Sequence, residues 1–353
     1  MGIIDNLLPM ISEISLGEPQ VTHFIADFLA WIFGFIGNYG WTVVIFTIVL
    51  KLVLSPLDIW QKHVMHKNNR AMERMKPKIA KLQVQYANNK EMFQQQQMKL
   101  YKQEGYSMLG ACLPTILTLV LFFIIFAGFN SMATYMVQKN YYDIAVTYEE
   151  TYAEHAELND KNVVINEEEA VQEAEKAVLE LYQSNEDQFQ WLWVRNVFVS
   201  DNWSAPVPSY SDFTSSGLSG LRVPKNWVGE DSRDYDRYTR VLREHEDYQG
   251  WNGYIILPIL TILITLGSQL LMKQPQAPGV DSDLNSGKAP GGNMMKFLMP
   301  AMMGFFALFY SAAFTIYLLV SQLVSLLTSL VFNAVMKRKD KKEEEFRLTH
   351  TFK

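Results

Sequence analysis

A single lysine within an apolar stretch is the feature that most constrains what this chain can fold into. Residues 40–57 read GWTVVIFTIVLKLVLSPL, and Lys51 is the only charged residue among them. As a helix rises ~1.5 Å per residue, Lys51 would lie roughly 15 Å from Trp41, near the middle of a ~30 Å hydrocarbon core. A cation at that depth costs at least ~2.5 kcal/mol and usually faces protein or a water-filled cavity. Lys51 is therefore a candidate functional residue; the alternative is a lysine that snorkels toward the interface without a further role.

Five apolar runs separated by polar segments predict an all-α polytopic membrane protein with five transmembrane helices. The fourth run is short for a span. The predicted parts are an external N-terminal tail and interfacial helix (1–37), transmembrane helix 1 (38–58), a cytoplasmic helical hairpin (59–108), transmembrane helix 2 (109–138), a large, partly helical, acidic external segment (139–250), transmembrane helix 3 (251–272), a cytoplasmic linker (273–294), transmembrane helices 4 and 5 (295–336) and a charged cytoplasmic tail (337–353).

The charges of the polar segments predict the orientation. Residues 59–108 carry ten Lys or Arg against three acids, and residues 337–353 carry seven against four. Residues 1–36 carry four acids and no Lys or Arg, and residues 139–250 carry 23 acids against ten bases. Since short basic flanks stay in the cytoplasm, we expect an external N-terminus and a cytoplasmic C-terminus, which fits five spans.

The predicted hairpin has a coiled-coil spacing in its first arm. Residues 87–89 (ANN) interrupt this pattern, and Pro77 either kinks the first arm or begins a new helical turn. The apolar and aromatic positions expected to face each other are Met65, Met72, Met75, Ile79, Leu82 and Tyr86 in the first arm, and Phe93, Leu100 and Tyr101, with Gln97, in the second.

Residues 21–36 also have helical spacing, which places Val21, Phe24, Ile25, Phe28 and Ile32 on one face. This pattern favours a helix lying in the outer membrane interface over an early start of the first span.

The motifs of familiar enzymes are absent from the sequence. None of the six histidines falls in a predicted span, and no GxxxxGK[ST] phosphate loop or spaced calcium loop occurs. The one cysteine, Cys112, allows neither an intrachain disulfide nor a cysteine-built metal site. We therefore predict a protein that is not an enzyme and that has no cofactor and no metal.

Polar side chains within the spans could surround Lys51. Thr47 and Ser55 lie four residues to either side of it and share its helical face. No Asp or Glu lies deep in a span to pair with it, so these groups favour a hydrated groove over ordinary interhelical hydrogen bonding. The predicted polar lining consists of Thr47, Ser55, Gln269, Tyr317, Gln322 and Ser325.

Several short motifs resemble the YidC family of membrane protein insertases. They include Thr47-Ile-Val-Leu-Lys51 followed by Ser55-Pro56-Leu57, then Gly110-Ala-Cys-Leu-Pro114, Phe297-Leu-Met-Pro300 and Tyr317-Leu-Leu-Val-Ser321-Gln322-Leu323. Their order relative to the spans makes the resemblance specific over about residues 37–138, 188–200 and 251–338. The family usually has arginine where this chain has Lys51, so the charge is kept and the planar guanidinium is lost.

The resemblance implies an insertase and chaperone of the bacterial cell membrane. A short external tail of a nascent membrane protein would enter a hydrated groove near Lys51, and its apolar segment would slide along the second and fourth spans into lipid. The residues of this slide would be Leu113, Leu117, Met299, Met302 and Met303. The implied partners are nascent membrane proteins and lipid, with the ribosome and a secretion channel as further candidates; no DNA is expected.

Two other functions remain compatible with the residues alone. An anion transporter or channel would use Lys51 as its binding site, and internal repeats, which favour that class, are not visible in the sequence. A membrane assembly scaffold would depend on its external segment, and neutralising Lys51 would then have no effect.

Overall fold

A computed structural model describes residues 17–106, 108–159, 164–215, 221–229, 232–271 and 291–351 of the chain. Side chains are not described for residues 108–115, 270–271, 291–297 and 299, nor for several residues beyond 342. Most of the predicted cytoplasmic linker (273–294) and most of the N-terminal tail before residue 21 therefore lie outside the described residues. The linker ends earlier than predicted, because a helix begins at Gly291.

The described residues form helices, with two isolated bridges and no strand among them, which confirms the all-α class. The helices are α1 (Phe24–Ile36), α2 (Tyr39–Gln85), α3 (Lys90–Gln103), α4 (Met108–His155), α5 (Glu167–Phe189), α6 (Tyr210–Thr214), α7 (Lys225–Val228), α8 (Arg233–Glu244), α9 (Ile256–Leu271), α10 (Gly291–Phe309) and α11 (Ala312–Thr351).

Three helices in the described part of the chain are long and apolar enough to cross a membrane. They cover Tyr39–Gln85, Ile116–His155 and Ala312–Lys342. The third and fourth predicted spans correspond to the shorter apolar helices Ile256–Gln269 and Pro300–Phe309. The number of five spans therefore stays a prediction.

The contacts divide the chain into two compact units. The first unit comprises Met1–Thr47, Ile125–Leu263 and Ala301–Val320, and the second comprises Ile48–Ile124, Ile264–Pro300 and Ser321–Lys353.

The helical hairpin belongs to the second unit. Helix α2 continues without a break through Pro77, and the chain turns at residues 86–89, where the Asn89 side chain accepts a hydrogen bond from the Met92 amide and caps α3. The two arms enclose Ala71, Met72, Met75, Leu100, Tyr101 and Tyr106, with Ile79 and Leu82 packed against them. The interruption is as the spacing predicts, and so are the facing positions Met72, Met75, Ile79, Leu82, Leu100 and Tyr101. The other predicted apolar positions, Met65, Tyr86 and Phe93, are not part of this cluster.

In the first unit, α5 packs against α8. The buried face of α5 consists of Ala170, Ala174, Val178 and Tyr182, which recur every fourth residue. Asn166 occupies the N-cap position of α5, but its side chain instead bonds the His155 carbonyl and the Glu157 amide. Helix α4 contains the second predicted span and continues beyond it to His155, so residues 139–155 of the first unit belong to the same helix as that span.

Helix α1 is separate from α2, because Gly37 adopts a left-handed conformation (φ 72°) between them. Of the predicted apolar face of α1, Ile25 and Ile32 are buried within the protein, whereas Phe24 and Phe28 are 68% and 42% exposed. The reason is local packing, since Ile25 lies against Gly128, where a Cβ atom would come within 2.6 Å of the Ile25 side chain. This contact turns the buried face of α1 away from both phenylalanines.

A buried carboxylate sets the start of α9. Asp201 accepts hydrogen bonds from the Ile255 amide (3.2 Å) and the Leu257 amide (2.7 Å). These amides lie at the first turn of a helix, where backbone donors have no intrahelical partner and a negative charge is favourable. Residue 253 must be glycine beside this carboxylate, because a Cβ atom there would overlap Asp201 Oδ1.

Candidate functional site

Lys51 lies next to Ser325 in the second unit. Its Nζ donates a hydrogen bond to Ser325 Oγ at 3.1 Å, and both side chains are partly buried. A hydroxyl oxygen can accept this bond but cannot neutralise the charge. The contact therefore holds the ammonium in place and leaves its charge available to another group.

The exposed apolar surface of α2 lies to one side of Lys51. Ile48, Val49, Leu52 and Val53 are between 41% and 70% exposed, as expected for residues that face lipid. At about 100° per residue, Lys51 is turned roughly a third of a turn from the centre of this surface. The position of the lysine thus directs its charge toward neighbouring protein.

The order of contacts shows that α2 and α11 are parallel neighbours in the second unit. Lys51 contacts Ser325, the His63 ring lies 5.4 Å from the Phe332 ring, and Arg70 forms an ion pair with Asp340 at 3.2 Å. The residue numbers of the contacting side chains increase together along both helices. The carboxyl-terminal parts of α2 and α11 therefore extend in the same direction.

The other predicted lining residues of the second unit are partly buried, and only Ser325 is brought to Lys51 by a described contact. The Ser55 hydroxyl donates to the Leu52 carbonyl of its own helix at 2.8 Å. Gln322 lies one turn before Ser325 on α11, and Gln269 lies near the end of α9.

Thr47 and Tyr317 belong to the first unit. Thr47 is fully buried and donates to the Val43 carbonyl at 2.6 Å, while the Tyr317 ring packs 5.2 Å from the Phe129 ring. Both side chains thus take part in packing within that unit.

The proposed slide is described only in part. Leu117 and Met303 are partly buried and Met302 is 43% exposed; the side chains of Leu113 and Met299 lie outside the described residues. The exposed apolar stripe of α4 consists of Ile116, Leu119, Val120 and Phe123, which have the i, i+3, i+4, i+7 spacing of one helical face. Sequence reasoning missed this stripe because almost every residue in the segment is apolar, so no polar face marks which side packs inward.

Within the described residues, no group of three or more His, Cys, Asp or Glu side chains could hold a metal ion. The described contact pairs the Lys51 ammonium with the Ser325 hydroxyl, and an ammonium binds anions and carbonyl oxygens rather than cations. This arrangement can hold a carboxylate through the N–H donors that the bond to Ser325 leaves unused.

Comparison with known proteins finds one family over most of the chain. Residues 31–341 match the family described as 60Kd inner membrane protein. Among the similar relatives are three proteins named Membrane protein insertase YidC. The protein of Stenotrophomonas maltophilia (strain K279a) is 37% identical over 91 residues, which are 26% of this chain and 15% of the relative. The protein of Chlorobium limicola is 34% identical over 116 residues, 33% of this chain and 19% of the relative. The protein of Fusobacterium nucleatum is 30% identical over 115 residues, 31% of this chain and 54% of the relative.

Proposed function

Because this chain belongs to the YidC family of 60Kd inner membrane proteins, we propose that it inserts proteins into the cell membrane without being an enzyme. The matched regions span between 15% and 54% of the length of these relatives, so activity, substrates and partners are proposals for this chain. The relatives' names describe insertion of membrane proteins, in agreement with the predicted absence of enzymatic activity. The single observation that carries the proposal is the Lys51–Ser325 pair.

The pair supports an electrostatic step. An ammonium has three N–H donors, and the bond to Ser325 uses one of them. A carboxylate from the external tail of a substrate can accept from the others, and the resulting charge-assisted bonds lower the energy of a charge that is crossing an apolar layer. Lys51 is then the charge of the groove, with Ser325, Gln322, Ser55 and Gln269 as its nearer polar lining.

The apolar segment of the substrate follows a different path. The exposed stripe of α4, in the second unit, offers apolar side chains to an incoming helix. Met302, in the first unit, is also exposed, and methionine is a flexible apolar side chain. Movement of an apolar segment from water into lipid supplies the free energy of insertion, so no nucleotide is required.

The parallel arrangement of α2 and α11 supports the predicted orientation. Two parallel spanning helices place their carboxyl-terminal ends on the same side of the membrane, which here carry the basic hairpin and the basic C-terminal tail. We place both in the cytoplasm and the N-terminus outside. Beyond Met75, the exposed lysines of the hairpin other than the Glu104-bound Lys78 (Lys76, Lys81, Lys90, Lys99 and Lys102) suit contact with an incoming chain or the ribosome.

Insertion by the purified protein tests this function. The full chain is reconstituted in liposomes, and a small single-span substrate with an acidic external tail is added without ATP. We expect protection of the tail from external protease, in proportion to the amount of reconstituted protein. Equal protection in empty liposomes would contradict the proposal, and selective anion flux without insertion would favour the transporter alternative.

A further inference from the structure

A second lysine lies on the same face of α2 as Lys51. Lys62 follows it by eleven residues, which is three helical turns within about 20° and about 16 Å along the axis. The Lys62 Nζ is buried and has no hydrogen-bond partner in the described part of the chain. The remainder of the side chain is only partly buried.

A buried ammonium without a partner is costly, because it loses its hydration and gains no compensating bond. Burial lowers the pKa of Lys62, and the nearby Asp58 carboxylate acts in the opposite direction. Asp58 lies one turn earlier on the same helix but forms no hydrogen bond with Lys62. Lys62 is thus a buried cation that has a carboxylate nearby on its own helix but no hydrogen-bond acceptor among the described residues.

The neighbouring side chains are already used in other contacts. Gln61 accepts a bond from Thr118 at 3.5 Å, and His66 and Arg70 both lie within salt-bridge distance of Asp340. The acid of α11 nearest to this part of α2 is therefore occupied. No carboxylate of the described residues accepts a hydrogen bond from the Lys62 ammonium, so a carboxylate of another molecule can do so.

We propose that Lys62 is a second carboxylate-binding residue on the path that leads to Lys51, and that its ligand is an acidic side chain of the inserting protein. This inference rests on the proposed insertase function. A separation of about 16 Å is too large for one carboxylate to contact both lysines, so the two residues are separate, successive sites. A protein carboxylate fits better than a lipid phosphate, because Nζ is buried within protein and shares the Lys51 face, away from the exposed apolar surface of α2 that includes Leu52 and Val53.

The test compares three variants in the reconstituted insertion assay. Lys62→Met removes the charge at similar length, Lys62→Arg keeps it, and Lys67→Met is the matched control, since Lys67 is an exposed lysine of the same helix. The substrates are one single-span protein with an acidic tail and the same protein with its acids changed to amides.

Lys62→Met is expected to slow insertion of the acidic-tailed substrate by about tenfold, the usual value of a bond to a charged group, and to leave the neutral-tailed substrate unchanged. Lys62→Arg and Lys67→Met should insert both substrates as the unmodified protein does. The effect should be the same in zwitterionic vesicles and in vesicles with anionic phospholipid.

Three results would overturn the inference. Normal insertion of the acidic-tailed substrate by Lys62→Met would show that Lys62 is not a carboxylate-binding site. Equal slowing of both substrates would show that its role is structural. A defect confined to vesicles with anionic phospholipid would identify a lipid phosphate as the ligand. In each case insertion by the unmodified protein would leave the proposed function standing, whereas its failure to insert either substrate would refute that function itself.

Discussion

Neutralising Lys51 is the perturbation that tests the proposed mechanism most directly. Lys51→Met keeps the length of the side chain and removes both its charge and its 3.1 Å bond to Ser325. Lys51→Arg keeps the charge and the reach. Lys67→Met again serves as the control, because it removes one exposed charge from the same helix.

The size of the effect follows from the contact that the ammonium can make. At an effective dielectric constant of about 20, an ammonium and a carboxylate about 4 Å apart attract each other by ~4 kcal/mol. Desolvation of both ions offsets part of this attraction, and a hydrogen bond to a charged group contributes a net ~1.5–3 kcal/mol. We therefore expect Lys51→Met to insert acidic-tailed substrates roughly 10- to 100-fold more slowly, and neutral-tailed substrates at nearly the original rate.

The folded state should tolerate the same change. The variant loses one bond to a hydroxyl but also removes a partly buried charge that has no acidic partner at hydrogen-bond distance, and such replacements are often neutral or stabilising. Insertion rates are compared at equal reconstituted amounts, with thermal unfolding in detergent as the check on folding. Equal rates for Lys51→Met and the unmodified protein on acidic-tailed substrates would refute the electrostatic mechanism, and that outcome is the one the scaffold hypothesis expects.

Three further predictions concern orientation and folding. In a Cys112→Ser background, cysteines introduced at Gln94 and at Ser215 should react with an impermeant thiol reagent from opposite sides of the membrane; labelling from the same side would contradict the proposed orientation. Asp201→Ala should lower the free energy of unfolding in detergent by ~1–3 kcal/mol, since the amides that begin α9 lose their acceptor, and an unchanged value would show that these bonds contribute nothing. Hydrogen bonds from Lys78 and, more weakly, from Arg74 lower the pKa of Glu104 below its usual 4.5. Their contribution to stability is therefore present above pH 4.5 and is lost as the pH falls through the lowered pKa. The melting temperature of the unmodified protein should fall over this pH range, and that of Glu104→Gln should lack this fall.

The hairpin could be predicted closely because local spacing determines it. The buried positions Met72, Met75, Ile79 and Leu82 are spaced by three, four and three residues. The sequence ANN at 87–89 interrupts this spacing where the chain turns. A helix with one apolar seam and a short connection can bury that seam only against the helix that follows it. Pro77 leaves the helix continuous, a result that composition alone could not decide.

The carboxyl-terminal end of α4 was less predictable, because hydropathy indicates where an apolar span ends but not where the helix that contains it ends. The apolar character falls near residue 138, yet the helix continues to His155 and buries Tyr141, Ile144 and Tyr148 in the first unit. The same limit applies to α1, whose buried face depends on the space left by Gly128, more than 100 residues away in the chain.

The surroundings of Lys51 show most clearly what the sequence leaves open. Helical periodicity places Lys51 on a face of α2, but the choice of Ser325 among the polar residues of α11 depends on the register of two helices about 270 residues apart. That register is set by contacts distributed along both helices, such as His63 with Phe332 and Arg70 with Asp340, rather than by the polar pair itself. Packing also explains why Lys62 could not be singled out from the sequence. Eleven residues after Lys51, a lysine belongs to the predicted basic cytoplasmic segment, and only the packing around α2 buries its ammonium without a hydrogen-bond acceptor among the described residues. We therefore propose that these two cations on one helical face, one bonded to a hydroxyl and the other without a hydrogen-bond acceptor among the described residues, receive carboxylates from outside the chain.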